Sequence, residues 1–119
     1  GVTVATSPAN LHSDNNQLGK ANSVDQTGAT VNGGGDDPNR HDILTGSMAD
    51  GTAYPAGDDH TCADWTSTGA GNARVGHHDK MGGGASPMSW NSAHDSDGCT
   101  IENLRGTGGD GRIYCFAID

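Results

Sequence analysis

Hydrophobic positions in this chain come in short runs between long polar stretches, and nowhere do they recur at helical spacing for more than a turn. Residues 1–6 read as a β-prone start closed by Ser7-Pro8. Leu11 and Leu18 are spaced for one helix face, but Asp14-Asn15-Asn16 lies between them and favours a turn. Residues 9–20 therefore hold a single helical turn at most. Residues 24–31 predict a small hairpin turning near 26–28, and the run 32–39, with Gly33-Gly34-Gly35, is a loop. Ile43-Leu44-Thr45-Gly46 is strand-like, and Asp50-Gly51 is a tight-turn signal before Thr52-Ala53-Tyr54, which predicts a second hairpin.

In the second half, residues 62–66 read as a third strand and 73–76 as a further short one. Residues 81–87 are a glycine loop, and 90–99 are polar and irregular. Glu102-Asn103-Leu104-Arg105 predicts a turn of helix and 106–111 a loop. Residues 112–117 alternate and predict a strand that ends the chain. No internal repeat is present. The pattern is that of a single domain, 1–119, built from strands and loops.

Composition sharpens this picture. Only 31% of residues are hydrophobic and 4% aromatic, while glycine takes 20 of 119 positions. Glycine brings no side chain to bury, so the core is thin, and a disulfide, a metal or a partner chain is expected to help hold it. Six Lys and Arg against fifteen Asp and Glu give a net charge of −9, a surface that repels phosphate backbones and anionic membranes. Nucleic acid is thereby excluded as a partner, and no apolar run approaches the ~20 residues of a membrane span. The chain opens without Met, as a processed product or a fragment would.

The candidate chemistry is sparse. Six histidines are present, several beside carboxylates, as in Asp58-Asp59-His60, His77-His78-Asp79 and His94-Asp95. Imidazole and carboxylate are zinc ligands, which makes His77, Asp79, Asp95 and Asp97 the candidate metal set. No H-E-x-x-H or paired C-x-x-C spacing supports it, and adjacent His77 and His78 do not easily face one ion from a strand. Asp95-Ser96-Asp97-Gly98 echoes the start of a calcium loop but lacks its closing Glu. Calcium and zinc are thus the two cofactors considered, and polar loop residues that cap and hydrogen-bond are the bland alternative. Trp90, set among polar neighbours, is the aromatic best placed to meet a ligand. There is no G-x-S-x-G elbow and no P-loop, so catalysis is not expected.

The pattern Leu44-Thr45-Gly46…Asp50-Gly51…Cys62-x-x-Trp65-Thr66…Gly76…Trp90-Asn91…Cys99…Leu104…Tyr114-Cys115-Phe116 resembles bacterial secreted "lectin" proteins. These carry a C-type-lectin-like domain related to the endostatin module. Asn39-Arg40-His41-Asp42-Ile43-Leu44-Thr45-Gly46-Ser47, Gly76-His77-His78-Asp79-Lys80 and Ser89-Trp90-Asn91-Ser92 carry the closest likeness. The resemblance implies an α+β, C-type-lectin-like fold. An N-terminal segment of roughly 80 residues, with two helices, would lie outside this chain. It implies a Cys62–Cys99 disulfide, Trp65 packed around that bridge, and 114–116 in the central strand. Cys115 would lack its usual partner, leaving a buried free thiol or a bond to a separate N-terminal chain.

Sugar-binding relatives hold calcium with a Glu-Pro-Asn or Gln-Pro-Asp triplet and a Trp-Asn-Asp triplet. Here Trp90-Asn91-Ser92 stands alone, and the endostatin zinc site does not carry over. The function expected is a secreted or periplasmic, non-catalytic recognition module. It would bind a glycan or protein through the loops at 76–97, with Trp90, Asn91, His94, Asp95 and Asp97 as ligand-binding candidates. Two alternatives stand beside it: an assembly subunit of a larger extracellular or periplasmic complex, and a metal-dependent enzyme.

Overall fold

Strand β1 (Asp42–Leu44) runs through the middle of the molecule, its Ile43 buried. In the computed structural model, which describes residues 1–118, β2 (Arg74–His77) pairs with it antiparallel and β4 (Gly109–Ile113) parallel. The two-residue β3 (His94–Asp95) lies antiparallel beyond β2, giving the order β3-β2-β1-β4. Three short helices complete the chain: α1 (Pro8–Leu11), α2 (Cys62–Trp65) and α3 (Ile101–Thr107). The result is a small α+β domain with a mixed four-stranded sheet and much loop. Its Cα radius of gyration, 13.6 Å, is that of one folded unit of this length. No helix among the described residues is long and apolar enough to cross a membrane.

Helix α3 shows how local chemistry sets the elements. The Thr100 side chain accepts from the Asn103 N–H, Glu102 sits in the first turn and Arg105 in the last, as the helix dipole favours. Gly108, at φ 112, ends the helix in the left-handed region and turns the chain directly into β4. That abrupt exit explains one difference from the sequence pattern. The last strand occupies 109–113, not 112–117, and it is an edge strand rather than the centre of the sheet. Tyr114, Cys115 and Phe116 follow it, and Cys115 is an exposed free thiol, not a buried one.

A second difference is sharper. Residues 62–66 form no strand: Cys62, Ala63, Asp64 and Trp65 have φ of 52°, 55°, 55° and 64°, one turn of left-handed helix built without glycine. L-residues resist this by roughly 1–2 kcal/mol each. The Asp59 carboxylate holds the turn, accepting from Thr61 N–H at 2.9 Å, Thr61 Oγ1 at 2.7 Å and Ala63 N–H at 2.7 Å. The turn tips Trp65 outward to 50% exposure, so it does not pack around the disulfide. Smaller departures are that residues 1–6 form no strand and that the two hairpins reduce to single bridges, Val24–Thr30 and Ser47–Ala53.

The interior is unusual for what fills it. The Cys62–Cys99 disulfide, Ala73 and Leu44 make a small apolar cluster. The largest fully buried side chains are His77, His78, Val75 and Asn91. Asn91 is tied in completely, donating from Nδ2 to Ser47 Oγ at 3.1 Å and to the Met48 carbonyl at 2.9 Å. Hydrogen bonds thus do much of the work that apolar packing does elsewhere. A thin hydrophobic core was legible in composition, and its polar replacement was not.

Candidate functional site

Sheet register builds one group of side chains. Asp42 on β1 lies opposite His77 on β2, and His94 on β3 lies opposite Val75, two residues before His77. Side chains alternate along a strand, so Asp42, His77 and His94 rise from the same face, directly or diagonally adjacent. His41, just before β1, stacks its ring on His77 with centroids 4.0 Å apart and planes 12° from parallel. The His94 ring meets His77 edge-on at 5.1 Å.

Three imidazole nitrogens converge on one oxygen. Asp42 Oδ1 lies 3.3 Å from His41 Nε2, 3.3 Å from His77 Nε2 and 3.5 Å from His94 Nε2. None of these contacts has hydrogen-bond geometry: both Asp42 oxygens and His77 Nε2 are buried without a partner. The far side of each ring is well held. His77 Nδ1 lies 2.9 Å from the Pro87 carbonyl, His94 Nδ1 3.0 Å from the Asp95 carbonyl and His41 Nδ1 3.2 Å from Asp79 Oδ1. Those partners only accept, so each Nδ1 carries a proton and donates it. In the neutral rings the Nε2 lone pairs then face Asp42.

Charge follows this geometry. Burial pushes the Asp42 carboxyl up, but its contacts with His77 and His94 outweigh burial and bring it down to about 2. His94 is raised, chiefly by Asp42. His41 is lowered, by burial first and by neighbouring His77 second. Asp79 is lowered despite its burial, because it accepts from the Gly34 and Met81 N–H groups as well as touching His41.

His41, His77 and His94 floor an open cavity of about 600 Å³, walled by residues 34–35 and 82–84 and edged by Asn39, Met81 and Thr107, with Asp42 buried behind the imidazoles. Glycine is needed in that wall for close approach. A Cβ at Gly82 would stand 2.6 Å from His41 Cε1, and one at Gly84 3.0 Å from His94 Cδ2. Gly83 points into open space.

Of the residues singled out in the sequence, His77 and His94 are in this group, and Asp79 stands behind His41. Asp95 lies on the opposite face of β3, 2.9 Å from His60 Nδ1 and 3.4 Å from Arg74, and Asp97 is exposed and apart. Neither joins His77 and Asp79. The calcium-like run 95–98 is a turn in which Ser96 Oγ donates to the Gly98 carbonyl. Trp90 lies against Tyr114 and Phe116, donates from Nε1 to the Leu11 carbonyl, and borders a second cavity of about 430 Å³. Asn91 is buried structure.

Sequence reading missed His41 and Asp42. Their dipeptide starts a strand-like run, and the only signal was an imidazole and a carboxylate where a strand enters the sheet. Comparison of the chain with protein-family models, curated proteins and solved structures finds no match.

Proposed function

We propose that the protein is a secreted, non-catalytic recognition domain of C-type-lectin-like type that binds a glycan or protein ligand in the cleft floored by His41, His77 and His94, with Asp42 buried behind them. One observation carries this reading. Buried polar groups are nearly always partnered, yet here an imidazole nitrogen of a residue lining an open cavity, and the carboxylate buried behind it, are not. Groups left unsatisfied beneath an accessible cavity are suited to a ligand that satisfies them. The disulfide supports an oxidising compartment, secreted or periplasmic. The ligand loops are then 33–35 and 81–87; the second lies within the 76–97 run expected from the sequence, but of that run's ligand-binding candidates only His94 lines the cleft, and Trp90, Asn91, Asp95 and Asp97 do not.

Gly83→Trp tests the reading, because Gly83 lines the cavity and a Cβ there meets nothing within 4 Å, so a bulky ring is set at the cavity wall without displacing backbone. Ligands captured by the native protein from a glycan array or extracellular extract should be lost by this variant, with its thermal unfolding unchanged. Capture undiminished by Gly83→Trp would refute the cleft as the binding site.

A second reading has its own observation. Beyond edge strand β4, Ile113 is 74% exposed and Phe116 37%, beside the free thiol of Cys115. An assembly subunit joined there to a separate chain through Cys115 would cover this patch. A non-reducing intact mass of the native protein decides it: added mass released by reductant supports the linkage, and a free thiol refutes it.

A further inference from the structure

We infer that the cleft floor is a binding centre for one zinc-type divalent ion, held by Asp42 Oδ1 and by Nε2 of His77, His94 and His41.

Four acceptors meet at this point and no donor lies between them. Each ring commits its Nδ1 proton outward, to Pro87, to Asp95 and to Asp79. What remains inside the neutral rings is three lone pairs and a carboxylate, an arrangement suited to a bound cation. The rings are also held as metal-bound histidines usually are, each with its second nitrogen on a carbonyl or carboxylate; that partner fixes the tautomer and sharpens the donor. Asp79 is itself locked by the Gly34 and Met81 amides, so it fixes His41 Nδ1 as a pivot about which the ring can turn.

The spacing fits. A tetrahedral ion with bonds of about 2.0–2.1 Å sets its ligand atoms about 3.3–3.4 Å apart. The three Nε2-to-Oδ1 separations are 3.3, 3.3 and 3.5 Å. Donor atoms of His41, Asp42 and His77 all lie within 4.8 Å of one another, the one such group among the described residues; the His94 nitrogen, close to Asp42 Oδ1 but outside that group, must swing inward to complete the tetrahedron. Because the His41 and His77 rings are stacked, their lone pairs run parallel, and one ring must turn for both to reach a single ion. His77 is wholly buried, so the turning ring is His41. Three imidazoles and one carboxylate select zinc and its neighbours over calcium, which requires six or more oxygens. The site is distinct from the set His77, Asp79, Asp95 and Asp97 suggested by sequence neighbours.

This inference deepens the reading of the cleft as a binding site, and it is tested with the metal alone. Chelator-treated protein is titrated with zinc by calorimetry and with cobalt by visible absorption. One ion per chain is expected, with the strong visible band of tetrahedral cobalt. His94→Ala, at the exposed rim, should weaken zinc by about 100-fold or more, beyond the loss usual for an outer partner. His94→Gln keeps the bulk if Ala disturbs the fold. His12→Ala, outside the cleft, should bind as the native protein does. Absence of stoichiometric binding, a weak octahedral cobalt spectrum, or native affinity in both His94 variants would overturn the proposal. Zinc bound as expected while Gly83→Trp still captures ligand refutes only the recognition reading. The reverse pair of results refutes only the metal.

Discussion

Replacing Ala63 by glycine should stabilise this protein, against the usual direction of that change. Ala63 sits at φ 55, ψ 56, in the middle of a left-handed turn. An L-residue held there is strained by roughly 1–2 kcal/mol, and glycine is not. The added freedom of glycine in the unfolded chain costs about 0.4–1 kcal/mol in return. Ala63 is exposed, so no buried surface is lost, and its N–H still reaches Asp59. The net expectation is a gain of about 0.5–1 kcal/mol, or a melting temperature higher by about 2–5 °C. The control is Ala21→Gly, also exposed but inside the short 3-10 turn Lys20–Asn22, where glycine should cost about 0.5–1 kcal/mol. Urea unfolding of the disulfide-intact proteins measures both. If Ala63→Gly lowers the midpoint as Ala21→Gly does, residues 62–65 do not adopt the left-handed turn, and the account of how Trp65 is displayed fails with it.

Three further outcomes follow from the packing. Gly76→Ala would drive a methyl group onto the Trp90 carbonyl and Asn91 Cα where that loop segment crosses β2, and should cost about 3 kcal/mol in urea unfolding; a loss near zero would contradict the close crossing. Changing Cys62 and Cys99 together to Ser opens a loop of 37 residues and should cost about 4 kcal/mol on the chain-entropy account, read from the same transition. Asp59 is held below its ordinary 3.8 by hydrogen bonds from the Thr61 side chain, then the Thr61 and Ala63 amides. A depressed carboxyl contributes stability that is present above 3.8 and lost as pH falls through its lower folded value. The stability gap between native protein and Asp59→Asn should therefore be widest near neutral pH and shrink below pH 3.8, and a gap independent of pH would refute the role of the charge.

How much of this was legible in the sequence differs by element. Ile43 and Leu44 and the run 73–76 declared strands by their apolar residues, and they are the paired centre of the sheet. Glu102-Asn103-Leu104-Arg105 placed a helical turn that proved to be part of α3. The left-handed turn at Cys62–Trp65 was hidden, because Cys-Ala-Asp-Trp has no glycine to signal positive φ. The Asp59 acceptor just upstream and the disulfide make it tolerable, and the second of these is a tertiary fact. Strand β4 was misplaced because Gly109-Asp110-Gly111 has poor strand propensity and is recruited by pairing with β1. The site failed for a related reason. Neighbours in sequence pointed His77 toward Asp79 and His94 toward Asp95, but alternation along β3 sends His94 and Asp95 to opposite faces, and β2 ends at His77, leaving Asp79 in the turn beyond it. Register across strands joined His77 and His94 to Asp42 instead, 35 residues before His77.

The polar interior and the candidate site are two aspects of one economy of sequence. A chain with so few large apolar residues must fill its centre with something, and histidine supplies bulk and a flat face for stacking, as the His41–His77 pair does. Asn91 shows that such a residue is stable when every polar atom has a partner. Asp42 and His77 show the opposite: the same sheet buries them with acceptors facing acceptors, which destabilises the metal-free fold. An ion bound there removes that penalty and bridges β1, β2 and β3 at one point. Its binding free energy therefore adds to folding free energy, as in other small domains that rely on a metal. The cleft loops at 33–35 and 82–84 rest on the same imidazoles, so ion binding and the shape offered to a ligand are coupled through His41 and His94.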